Sequence, residues 1–220
     1  MPENQLTTNK FRIDTDDNPF IGLIHFLNCH LPEFPKVFTE ITKTEKIESE
    51  DSISQKLYYF LQDLTYQGGL FMFQFQYKYP NTRRSSDIVV ISRNPFKPTN
   101  NPFFTIEAKV LPPDRKSREK EYVEGNYGGI ERYKRGHHGK GLPQSAIVGY
   151  VQKKNCQHWH QKINKWINEL IQTNKAIDIT WNKKDLLTHL SDFYKVQKYV
   201  SENKRENDSI LLSHYLMDLQ

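Results

Sequence analysis

The chain has 220 residues, with 13 Phe, 12 Tyr and 3 Trp, and its 31 Lys and Arg exceed 26 Asp and Glu to give a net charge of +5. This length suits one well-cored domain, and a core rich in rings excludes a disordered chain. No apolar run is long enough to span a bilayer, no charged-then-apolar leader is evident, and two cysteines (Cys29 and Cys156) make no disulfide framework, so a reduced, cytoplasmic protein is expected.

After a polar start, "NPFIGLIHFLNCHL" spaces Phe20, Leu23, Ile24 and Leu27 at helical intervals. Asn18 followed by Pro19 makes a cap with proline at the first helical position, and Pro32 and Pro35 are expected to close the element. A second helix is predicted in "SEDSISQKLYYFLQDL". Ser49 is its N-cap, Glu50 and Asp51 occupy the first turn, where the helix dipole favours acids, and Gly68-Gly69 ends it. Ile53, Leu57, Phe60, Leu61 and Leu64 form its apolar stripe.

Strict alternation in "LFMFQFQYKY" places Phe71, Phe73, Phe75, Tyr77 and Tyr79 on one face of a strand, a ring-rich wall that suits a core better than a base-stacking platform. "SDIVVIS" (86–92) and "FFTIEAKVL" (103–111) are two further strands. The breaker-rich loop between them is centred near residue 98. A hairpin folded there brings residues near 87 opposite residues near 108, so Asp87 is expected beside Glu107 and Lys109. "AIVGYV" (146–151) reads as another buried strand and "CQHWHQKINKWINELIQ" as a helix with Trp159, Ile163, Trp166, Ile167, Leu170 and Ile171 on one stripe. The last forty or so residues read as a pair of strands or as a strand and a helix, with "SENKREND" as the turn.

Glu107 and Lys109 lie two residues apart and so share one strand face, inside an otherwise apolar segment. On an exposed face such a pair is an ion pair of little consequence. Here Asp87 joins it from the neighbouring strand, with Glu50 available at the head of a helix. Converging carboxylates repel and raise a pKa unless a cation sits among them. A hard divalent ion with oxygen ligands, Mg²⁺ in particular, answers that conflict. A lysine beside it suits a reaction in which water is deprotonated or a phosphate is neutralised.

Asp87 followed by Glu107-Ala108-Lys109, in "SSDIVV…FFTIEAKV", resembles the PD-(D/E)XK nuclease superfamily over roughly residues 48–172. The resemblance implies an α/β, restriction-endonuclease-like core, a central mixed β-sheet flanked by helices in the order α-β-β-β-α-β. The chain then divides into an N-terminal helical extension (1–47), the nuclease-like core (48–174) and a C-terminal extension packing on the core (175–220). By the same resemblance Asp87, Glu107 and the Ala108 carbonyl are metal ligands, and Lys109 orients or activates the attacking water. A glutamate of the first core helix completes the site, with Glu50 the best match and Glu48 or Asp51 the alternatives. The cofactor is Mg²⁺, with Mn²⁺ able to substitute. Two departures stand out: Ser86 precedes Asp87 where proline is common, and no glutamine-tyrosine motif follows, so a RecB-like member is not expected.

The implied activity is hydrolysis of phosphodiester bonds in nucleic acid, DNA ahead of RNA, in bacterial anti-phage or restriction-type defence, with a homodimer or a partner protein of a defence complex. The alternatives are a catalytically silent DNA-binding or assembly subunit of the same fold, and an RNA-cleaving enzyme. Candidate nucleic-acid contacts are Arg83 and Arg84, together with Arg132, Lys134, Arg135, His137, His138 and Lys140 of "IERYKRGHHGKG". A mobile solvated loop is the plain alternative for the latter stretch. Cys156, His158 and His160 have ligand chemistry, but no second pair with zinc spacing accompanies them.

Overall fold

The computed structural model describes residues 18–47, 49–66, 69–79, 85–93, 100–125, 128–173 and 179–220. It is an α/β structure with a mixed, seven-stranded sheet between two layers of helices. Helix α1 (Pro19–His30) starts as predicted, with the Asn18 side chain accepting from the Phe20 amide at 3.0 Å. The two prolines do not simply close it. Pro32 lies in a short 3-10 turn, Leu31–Glu33, and Pro35 sits in the first turn of a further helix, α2 (Phe34–Thr42). There the missing N–H costs nothing, because the first amides of a helix have no internal partner.

Helix α3 (Glu50–Thr65) is capped by the Ser49 hydroxyl, which accepts from the Ser52 amide at 3.1 Å. Strands β1 (Phe71–Lys78), β2 (Ser85–Ser92) and β3 (Phe104–Leu111) form an antiparallel run. The β2–β3 register pairs Ile88 with Ile106 and Val90 with Phe104, which continued one step sets Asp87 against Glu107. This is one residue from the position expected of the hairpin, within the same neighbourhood.

Helix α4 (Gly129–Lys134) leads to β4 (Gln144–Val151), parallel to β3, and then to α5 (Cys156–Thr173). Among its described residues the C-terminal segment forms three strands, β5 (Thr188–Phe193), β6 (Val196–Lys204) and β7 (Ser209–Asp218), and no helix longer than the Lys183–Asp185 turn. Strand β6 runs on through "SENK", so the predicted turn shrinks to residues 205–208. Strand β7 inserts beside β4, in parallel, giving the order β1-β2-β3-β4-β7-β6-β5.

Two cores follow from this layering. One joins α1–α3 to one sheet face through Leu27, Phe34, Leu57, Ile88, Ile106, Ala108 and Val148. The other joins α4 and α5 to the opposite face through Ile130, Tyr133, Ile147, Trp159, Ile163 and Leu216. Because side chains alternate along a strand, Glu107 and Lys109 lie on the α4 and α5 side while Ile106 and Ala108 lie on the other. Among the described residues no helix is long and apolar enough to cross a membrane.

The middle of the sheet tolerates little extra volume. A Cβ on Gly149 of β4 would stand 2.6 Å from Leu216 Cδ2 and 2.9 Å from Leu111 Cδ1, one leucine on each neighbouring strand. Gly149→Ala is therefore expected to destabilise the fold by about 1–3 kcal/mol. Urea unfolding should show a lower midpoint at an unchanged slope, and an unchanged midpoint would mean that the leucines yield.

Candidate active site

The β2–β3 ladder stops at the Ile88–Ile106 pair, although β3 continues to Leu111. In an antiparallel ladder the amide and carbonyl of one residue point to the same neighbour, so Ala108 and Val110 turn their amides to the edge that β2 has left. Two carboxylates take those positions. Asp87 Oδ2 accepts from the Ala108 amide at 2.8 Å, and Glu50 Oε2 accepts from the Val110 amide at 2.9 Å. The predicted pairing of Asp87 with the Glu107–Lys109 strand is thus realised through the Ala108 N–H, and the Ala108 carbonyl faces the same edge. Glu50 reaches this edge because it is the first residue of α3, whose Ser49 cap fixes where the helix begins.

Lys109 Nζ stands among the acids. It donates to Glu107 Oε1 at 3.1 Å and to Glu50 Oε1 at 3.2 Å. Burial alone would lower its pKa, but Glu107, Glu50 and Asp87 together hold it above the ordinary lysine value, so the ammonium stays charged. Glu107 is 2 % exposed and also meets Arg132 Nη1 of α4 at 3.3 Å. Burial pushes this carboxyl up, yet Lys109, His138 and Arg132 outweigh it and hold it below the usual range. Asp87 is half-buried and has no such company. Burial first, then repulsion by Glu107, pushes its carboxyl up to about 8, against the pull of Lys109 and the Ala108 amide.

Of the expected nucleic-acid contacts, two are corrected. Lys134 is buried and forms an ion pair with Asp185 at 2.6 Å, both side chains 0 % exposed, so it links α4 to the C-terminal segment and presents nothing to a phosphate. His138 is also buried. Its Nδ1 lies 3.1 Å from Ser86 Oγ and its Nε2 lies 3.4 Å from Glu107 Oε2. Burial lowers its pKa to about 4, despite the pull of Glu107, so the ring is neutral near pH 7.

Arg132, Arg135 and His137 line a cleft of about 510 Å³ with Glu131 and Gly125, and Lys140 is exposed. A second cleft, of about 620 Å³, is lined by Glu50, Asp51, Val110, Arg118, Gln152 and Lys153. Asp51 thus adjoins the site, but Glu50 is the acid that makes the contacts. Arg83, Arg84 and Glu48 lie outside the described residues.

Two contributors escape the sequence. The first is Ser86, noticed only for not being proline, which holds the His138 ring. The second is Arg205 in the β6–β7 turn. Its guanidinium donates to the carbonyls of Tyr133 (2.9 Å), Gly139 (2.8 Å) and Leu142 (3.2 Å), tying down the loop that carries His138. Gly139 belongs to that loop with φ +54, and a Cβ there would press within 3.0 Å of Ser145 Oγ.

Glu107 and Glu50 on one ammonium, with Asp87 on the neighbouring strand, have the oxygen chemistry that suits a hard divalent cation, and Glu107 Oε2 is a buried oxygen with no hydrogen-bond donor. Among the described residues, however, no three His, Cys, Asp or Glu side chains stand around one point as a ready metal group. Lys109 holds the central place. The chain matches no family model, no curated protein and no solved structure.

The raised Asp87 pKa sets a pH dependence. An acid whose pKa lies higher in the folded state stabilises the fold below its unfolded value, here 3.8, and loses that contribution as pH rises through about 8. In EDTA, the melting temperature of the wild-type chain is expected to fall across that window more steeply than that of Asp87→Asn. Parallel melting curves for the two proteins would count against an uncompensated Asp87.

Proposed function

We propose that the chain is a divalent-cation-dependent phosphodiesterase of nucleic acid, DNA ahead of RNA, with a restriction-endonuclease-like core of the PD-(D/E)XK type. One observation carries this reading: Asp87, Glu107 and Glu50 converge with Lys109 on the unpaired edge of β3. Chain order and spacing follow the motif, and the elements run α3-β1-β2-β3-α4-β4 around it.

Asp87, Glu107 and Glu50 would hold the cation, together with the Ala108 carbonyl on the same strand edge. The ion, Mg²⁺ or Mn²⁺, supplies Lewis-acid stabilisation of the charge that develops on the phosphate. Lys109 is kept protonated by its carboxylates, so its part is to orient the attacking water and neutralise phosphate charge, not to take a proton. Arg132 bridges Glu107 and the 510 Å³ cleft, which lets one guanidinium both compensate a buried acid and meet the backbone of a bound strand. A role in defence against foreign DNA, with a second copy or a partner protein, belongs to the same proposal.

A second reading has its own support. The lack of a ready three-ligand group among the described residues favours a subunit that keeps the fold and holds DNA without cutting it.

The two readings separate in one assay. The purified protein is incubated with plasmid, single-stranded DNA and RNA in MgCl₂, MnCl₂ or EDTA. The hydrolytic reading expects cleavage that requires the metal and drops on the order of 10²-fold or more in Asp87→Ala and in Lys109→Ala. Cleavage that survives both substitutions, or none on any substrate, would contradict it. A holding subunit leaves all three substrates intact and retards DNA in a salt-sensitive way, with or without Asp87.

A further inference from the structure

Glu107 Oε2 and His138 Nε2 face each other 3.4 Å apart, in side chains that are 2 % and 1 % exposed. Neither atom makes a hydrogen bond with any described residue. The two oxygens of Glu107 therefore live in different surroundings. Oε1 carries the cations, Lys109 and Arg132, whereas Oε2 looks toward the imidazole.

The ring cannot easily turn away. Its Nδ1 is 3.1 Å from Ser86 Oγ, which is 3.1 Å from Tyr79 Oη. It also packs on Tyr133, with ring centroids 5.6 Å apart. When Nδ1–H donates to the serine hydroxyl, Nε2 presents a lone pair to a carboxylate oxygen. Two buried acceptors are then left facing each other without a donor, an arrangement that is unfavourable unless something positive joins them.

The separation fits a shared cation. Ligand atoms about 2.1 Å from a tetrahedral metal lie about 3.4 Å from each other. A metal-bound histidine also characteristically has its other nitrogen held by a hydrogen-bonding group, the part that Ser86 plays here.

We infer that His138 Nε2 and Glu107 Oε2 form the nitrogen–oxygen edge of a divalent-cation site. An imidazole ligand suits a first-row transition ion better than Mg²⁺. The inference rests on the cation-dependent reading above and refines it, because an all-oxygen site would not discriminate in this way. Binding on the Oε2 side also leaves Lys109 on Oε1, so the ammonium need not be expelled when the ion arrives.

The test uses the full chain and MnCl₂ alone, without nucleic acid. Pulsed electron paramagnetic resonance of bound Mn²⁺ is expected to show nitrogen hyperfine coupling that His138→Gln removes. Excess MgCl₂ should displace Mn²⁺ poorly from the wild type and readily from the variant. Ser86→Ala, which keeps the imidazole but frees its Nδ1, is expected to weaken Mn²⁺ binding about tenfold or more. Should His138→Gln not fold, nitrogen coupling in the wild type together with weakened binding in Ser86→Ala decides the matter. Bound Mn²⁺ without nitrogen coupling, or coupling that persists in His138→Gln, overturns the histidine ligand and leaves the cation-dependent reading standing. No Mn²⁺ binding at all overturns both.

Discussion

The arrangement depends on where β2 parts from β3. Beyond the Ile88–Ile106 pair, β3 exposes the amides of Ala108 and Val110 on an edge inside the molecule. A buried amide without a partner costs about 1–3 kcal/mol. The carboxylates of Asp87 and Glu50 take these amides at 2.8 and 2.9 Å, so the sheet edge that needs acceptors is also the feature that gathers the acids. Satisfying the backbone and assembling the site are one event.

Gathering acids creates the next requirement. Glu107 is a nearly inaccessible carboxylate, and a buried charge is tolerated only when paired and hydrogen-bonded. Lys109 comes from the same strand face, but Arg132 comes from α4, which leads into the loop that carries His138. Arg205 then ties that loop to the β6–β7 turn, while the Lys134–Asp185 pair ties α4 to the segment before β5. The C-terminal strands thus help place the residues around Glu107, some hundred residues earlier in the chain. The site is supported from both ends of the sequence.

How much of this the sequence could reveal follows from the range of the interactions. The caps of Asn18 and Ser49, the alternation of β1 and the stripe of α5 rest on contacts within a few residues, and they were legible. The meeting of Asp87 with Glu107 was legible because a short loop fixes the hairpin. Glu50 could be named because helix starts have local signatures, although its hold on the Val110 amide spans sixty positions. Lys134 and His138 were misread for a common reason. A run of cations and glycines looks solvated until a distant acid such as Asp185, or a distant serine such as Ser86, is known to face it. The insertion of β7 beside β4 is likewise invisible to local pattern, since a parallel pairing leaves no turn to announce it.

The central claim is that the acids on the β3 edge form a cation site for phosphodiester hydrolysis. Anomalous diffraction from crystals of the protein soaked with MnCl₂ and a short oligonucleotide tests it most directly. The account predicts a Mn²⁺ peak in contact with Asp87 and Glu107 and a phosphate beside Lys109. A map with Mn²⁺ only elsewhere on the protein, or with Lys109 still spanning Glu50 and Glu107 and no ion between the acids, would contradict it.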